Sequence, residues 1–165
     1  MRVGMEPCGS VPVPTDSTGP IRKDNTMNNP SLFPMGEPND AYARYFIGQS
    51  YLAPLLNEEI SLSNVTFEPG CRNNWHIHHN SPQILIAVGG VGYYQEWGRP
   101  VVTMQPGDVV YVPAETKHWH GATPHASFAH LAIMIPGADV SNEWLEPVDD
   151  ETYYALDAEA AQSSK

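Results

Sequence analysis

Cysteine is scarce in this chain of 165 residues, with only Cys8 and Cys71 present. So few thiols, so far apart, argue against a disulfide-stapled scaffold and against a thiolate zinc site, and both are expected to be free. Basic residues are also few. Eight Lys and Arg face nineteen Asp and Glu, for a formal net charge of −11. Without a basic cluster to neutralise phosphates, nucleic acid and anionic membrane surfaces are excluded as partners. No apolar run approaches the roughly 18 residues of a membrane span. The first ten residues lack the basic-then-apolar order and small-residue cleavage site of a secretory signal, so a cytoplasmic protein is expected. Charged residues make up only 16% of the chain, too few for long solvent-facing helices.

Proline and glycine, in contrast, are abundant at 16 and 13 residues. Residues 1–30 are rich in Pro, Gly, Ser, Thr and Asn without helical or strand period, and read as a flexible segment. From residue 31 to 148, apolar runs of 4–9 residues alternate with Pro/Gly turns, the pattern of an all-β sandwich or small barrel. The expected strands include one or two over Tyr42–Leu52, closed by Pro54, then Ile60–Phe67, Asn74–His78 and Ile84–Val88. Gly92–Trp97, Pro100–Met104, Asp108–Val112 and Ser127–Ile135 follow. Residues 149–165 open with Asp149-Asp150-Glu151, acids suited to a helix N-terminus, and predict a short helix lying on the outside of the barrel. Tyr153, Leu156 and Ala160 form its apolar stripe, with Trp144 and Leu145 before it as packing residues.

The chemistry concentrates in two short segments. Trp75-His76-Ile77-His78-His79 places His76 and His78 on one strand face, because strand side chains alternate. Two imidazoles two residues apart make half of a metal site. The turn Asn80-Ser81-Pro82 reverses the chain, and Gln83 opens the next strand with an amide oxygen able to point back. Lys117-His118-Trp119-His120-Gly121 supplies a further imidazole from His118, with His120 on the same face. His79 faces away from His78, and His125 lies in a solvated loop. Trp75, Trp97 and Trp119 read as packing residues, and at most one of Tyr93 and Tyr94 can look inward.

Gly70, five residues, His76, one residue, His78, four residues, Gln83, six residues and Gly90 match the first cupin motif. Gly107-Asp108, Pro113 and His118 match the second, and over roughly Ser63 to Ile135 the chain resembles the cupin family. That resemblance implies a double-stranded β-helix, or jelly-roll barrel, with one divalent metal per chain. Three positions depart from the motifs. Gln83 stands where a Glu is usual, Glu115 where a Gly is usual, and Ala122 where an Asn is usual. Three neutral imidazoles and a neutral amide leave the full +2 charge uncompensated, which favours Lewis-acid over oxygenase chemistry.

A longer signature narrows the resemblance. Val65-Thr66-Phe67-Glu68-Pro69-Gly70, Trp75-His76-x-His78, Gly107-Asp108-Val109-Val110, Lys117 to Ala122, His130 to Ile133 and Trp144 to Val148 are similar to cupins associated with carboxymuconolactone decarboxylases and to cupin-type manganese-dependent hydroxynitrile lyases. One residue more separates His78 from Gln83 than in those lyases. The resemblance implies metal ligation by His76, His78, Gln83 and His118, with Mn favoured over Fe, Zn, Ni or Co. It implies a proton-transfer role for His130, to which the inward face of His120 adds a second candidate. It implies substrate contacts from Ser63, Val65 and Met134, and from Gln49 on an early pocket-edge strand. The expected activity is lyase-type carbon–carbon chemistry on a small oxygenated organic molecule. A metal-dependent dioxygenase and a non-catalytic binding or sensor module are the alternatives. A homodimer or higher homo-oligomer is expected.

Overall fold

The computed structural model describes residues 29–163. Cys8 and the expected flexible segment, apart from Asn29 and Pro30, lie outside the described residues. Among the described residues, thirteen strands run in chain order. They are β1 (Glu37–Pro38), β2 (Phe46–Ile47), β3 (Ser50–Asn57), β4 (Ser61–Phe67), β5 (Arg72–Asn73), β6 (His76–His79) and β7 (Gln83–Gly90). Then come β8 (Gly92–Glu96), β9 (Val102–Met104), β10 (Val109–Val112), β11 (His118–Ala122), β12 (Phe128–Met134) and β13 (Ser141–Trp144). An α-helix, α1 (Asp150–Ser163), follows.

One sheet has the order β1-β3-β4-β12-β7-β10. In the other, β13-β6-β11-β5-β2 are neighbours, with β8 pairing both β11 and β9. These strand pairs are antiparallel, and the two sheets together make the jelly roll. Strand alternation explains the interior. In β7, Gln83, Leu85 and Ala87 are buried while Ile84, Ile86 and Val88 are half-buried on the outer face. Phe67, Leu85, Met104, Val112 and Phe128 fill the space between the sheets, each at most 1% exposed. At fully buried Gly121 a Cβ would lie 2.6 Å from the Arg72 backbone, so only glycine lets β11 and β5 approach this closely.

As expected, the terminal helix lies on the outside of the barrel. Asp149 caps it, accepting the Thr152 N–H at 2.8 Å. Tyr153 and Leu156 seat it against Trp119, Tyr93 and Val148 on the outer face of the second sheet.

Two expectations are corrected. Tyr42–Leu52 does not form strand throughout, because Asp40–Tyr45 is a 3-10 helix and strand begins only at Phe46. Aromatic content marks a residue fit for a half-buried surface, and Tyr45 meets that need by stacking on Trp144 at 4.6 Å. Nor does Pro54 end its strand. β3 continues to Asn57 through a register shift between Pro54 and Leu56, where β1 no longer pairs with it. An edge position with a bulge tolerates a residue without an N–H.

Candidate metal centre

Strand β6 carries His76 and His78, and β11 pairs with it so that His118 lies opposite His76. The rings of His76 and His118 are 4.1 Å apart between centroids, those of His76 and His78 4.9 Å, and those of His78 and His118 5.3 Å. All three side chains are buried. The Nδ1 atoms of two of them are engaged by the backbone just upstream: His76 Nδ1 donates to the Asn74 carbonyl at 2.9 Å, and His118 Nδ1 to the Thr116 carbonyl at 2.9 Å. His78 Nδ1 instead meets Asn142 Oδ1 at 2.6 Å. These contacts leave the Nε2 lone pairs free, and Nε2 of both His78 and His118 is buried without a partner.

Gln83 reaches the same region. The turn before it absorbs four intervening residues with Asn80 in the left-handed region at φ 58°. Its Nε2 donates to Met134 Sδ at 3.3 Å, and its Oε1 is buried without a partner. Burying such acceptors without partners is costly, and a divalent cation is the group that would satisfy three of them at once. The donor set, imidazole nitrogen and amide oxygen, suits a first-row divalent metal.

His120 also belongs to this cluster. Among the described residues, the one group of three ligand-capable side chains with donor atoms within 4.8 Å of one another is His76, His118 and His120. His78 lies outside that tightest group. His120 differs from the others in being held by Asn73, whose Oδ1 accepts its backbone N–H at 3.0 Å and whose Nδ2 lies 3.2 Å from its Nε2. His130 stands perpendicular to His120 at 4.8 Å, packed against Phe67 and Phe128, with both ring nitrogens buried and unpartnered. Burial holds these imidazoles neutral. The pKa of His118 and of His130 falls to about 4, mainly through burial, and His76, His78 and His120 are lowered for the same leading reason.

A cavity of about 200 Å³ opens onto this cluster. His76, His78, Gln83, His120 and His130 line it, with His118 fully buried beside them. Ser63, Val65 and Met134 lie in the wall. Gln49 does not, because its amide folds back onto the Ser50 carbonyl at 2.8 Å and the nearby wall residue is Phe46. Tyr42, Phe67 and Trp144 add aromatic surface, and no Asp, Glu, Lys or Arg is in the wall among the described residues.

Two participants have little sequence signal. Asn73 sits in an Asn-Asn pair just ahead of the H-x-H, which is its one clue. Asn142 lies on β13, whose Ser-Asn-Glu-Trp sequence shows no apolar alternation. Glu115 occupies the motif's glycine position with φ 66°, a conformation that an L residue adopts at a cost. Its carboxylate offsets that cost by accepting the Asn80 N–H at 2.9 Å and bonding His79. His79 also meets Glu143 at 2.9 Å, so it faces away from the centre as expected, and these two carboxylates raise its pKa.

The cupin-domain family profile matches residues 63–135. Over 115 residues the chain is 39% identical to an (R)-mandelonitrile lyase of Granulicella tundricola, covering 67% of this chain and 87% of that protein. A solved cupin-like protein from Thermotoga maritima is 32% identical with a TM-score of 0.68, covering 76% of this chain and 96% of that one. A DMSP lyase from Ruegeria pomeroyi shares the fold at 18% identity and a TM-score of 0.52, covering 67% of this chain and 56% of that one.

Proposed function

The chain belongs to the cupin family, and on that premise we propose that it is a metal-dependent lyase that cleaves or forms the carbon–carbon bond of a small, uncharged cyanohydrin. The observation that carries this reading is that His78 Nε2, His118 Nε2 and Gln83 Oε1 are buried and unpartnered, beside or in the wall of a cavity that His130 also lines. His76, His78, His118 and Gln83 would hold the cation, taken here as manganese from the family resemblance. A bound divalent cation supplies a Lewis acid for a hydroxyl or carbonyl oxygen.

The chain's own residues supply the rest. His130 is neutral at pH 7 because burial lowers its pKa to about 4. It accepts the hydroxyl proton as the bond to the nitrile carbon breaks, and returns that proton to the departing cyanide, so the products are a carbonyl compound and hydrogen cyanide. His120, packed edge-on against His130, shares in holding this proton. Phe46, Phe67, Tyr42 and Trp144 form an aromatic wall suited to an aryl substituent, while Ser63, Val65 and Met134 border the reacting end.

The described residues include no helix long and apolar enough to cross a membrane. We also propose a homodimer. The outer face of the six-stranded sheet presents Leu62, Ile84, Ile86, Ile133, Val109 and Tyr111 in adjacent register, with Val109 62% and Tyr111 58% exposed. A contiguous apolar face of this kind fits self-association about a two-fold axis.

The test follows benzaldehyde release from mandelonitrile by manganese-loaded protein. Wild type should cleave it well above the buffer rate. His130→Phe should lose about 10²–10⁴-fold in rate with metal content unchanged. A loaded wild type no faster than buffer on mandelonitrile and on aliphatic cyanohydrins would remove this reading.

A further inference from the structure

Two of the three imidazoles proposed as ligands are oriented by their own local backbone, through the carbonyls of Asn74 and Thr116. His78 has no such partner. Its Nδ1 is met by a side chain 64 positions away in sequence, Asn142 Oδ1 at 2.6 Å. An amide oxygen only accepts, so this contact requires the proton on Nδ1 and leaves Nε2 as a bare lone pair. That Nε2 is the buried, unpartnered atom facing the centre.

The arrangement comes from strand β13. It pairs antiparallel with β6 so that Asn142 lies opposite His78 and Trp144 opposite His76. The same alternation that puts Asn142 on His78 puts the Trp144 ring on His76, 4.8 Å between centroids and tilted 30°. Tyr45 backs Trp144 at 4.6 Å in a near-parallel stack, and Arg44 lies 4.6 Å over Tyr45. On the opposite side of the strand Glu143 bonds His79 at 2.9 Å, which pins the pairing. β13 therefore grips both histidines of the H-x-H from outside, although it lies beyond the residues that the family profile matches.

We infer that Asn142 is a positioning residue of the centre, which selects the Nδ1–H tautomer of His78 and thereby aims Nε2 at the cation. This rests on the proposed metal site, but the tautomer itself exists without a metal. Orienting partners of this kind are typically worth 10–100-fold in metal affinity.

The experiment compares wild type with Asn142→Leu, which keeps volume and removes the acceptor, and with Asn142→Asp, which keeps an acceptor. Asn142 is exposed at the cavity mouth, and circular dichroism checks that each variant folds. Nitrogen-15 NMR of the imidazoles in metal-free protein reads the tautomer, and titration with Mn²⁺ and Co²⁺ reads affinity. Wild type and Asn142→Asp should show His78 protonated on Nδ1. Asn142→Leu should lose that single tautomer and bind both cations 10–100-fold more weakly. A folded Asn142→Leu that keeps the Nδ1–H tautomer, or that binds the cations as tightly as wild type, would overturn the inference. If wild type binds neither cation yet Asn142→Leu still changes the tautomer, the orienting role stands and the proposed metal chemistry fails instead.

Discussion

At the scale of single residues, the cluster is organised by the cost of charge. Five imidazoles share one buried region, and none can be protonated there without losing solvation beside like neighbours. His118 and His130 fall to about 4 in the folded chain, against about 6.5 when unfolded. Between those values the unfolded chain binds more protons than the folded one. The stability these groups contribute is therefore complete above pH 6.5 and is lost as pH falls towards 4, by roughly 3 kcal/mol for each imidazole. Denaturant titrations of metal-free protein at pH 7 and pH 4.5 should show this fall, and His130→Leu should flatten it. An unchanged slope in that variant would mean His130 is solvated. The residue types were largely legible in the sequence, because an H-x-H spacing on a strand has one geometric consequence. Gln49 was not, since its position depends on how the chain enters β3, and Asn142 was not, since an isolated Asn has no spacing to reveal its partner.

Among the elements, strands with strong alternation were readable to within a residue or two, as β4, β7 and β12 illustrate. β13 was not, because it is strand only by virtue of pairing with β6. The 3-10 helix before β2 escaped for a related reason: its aromatics pack as well from a helical turn as from a strand. The terminal helix was legible from its acidic start, and its anchoring now has a mechanism. Tyr153 is fully buried and donates its hydroxyl to the Ala122 carbonyl at 2.6 Å. Arg72 lies 4.1 Å over the same ring and bonds the Val148 carbonyl at 3.0 Å. Tyr153→Phe should cost about 1 kcal/mol, the net worth of one buried hydrogen bond. Tyr153→Ala should cost about 3–5 kcal/mol through the cavity it leaves. Urea denaturation measures both, and equal losses would mean that the ring contributes nothing beyond its hydroxyl.

At the scale of the described fold, a two-sheet shell encloses a polar floor that the shell leaves unsatisfied. Its outer apolar sheet face gives a prediction at this scale. Light scattering should report twice 18.2 kDa for wild type, and the double substitution Val109→Glu with Tyr111→Glu should return it to 18.2 kDa with the fold intact. A wild-type mass of 18.2 kDa would refute the dimer. In the interior, three imidazoles and one amide are proposed to converge on a single cation. Elemental analysis of protein purified with manganese supplied tests it most directly, on wild type, His76→Ala and His118→Ala. Wild type should carry one divalent ion per chain, and neither variant should retain any. Stoichiometric metal in both variants, or none in wild type, would contradict it.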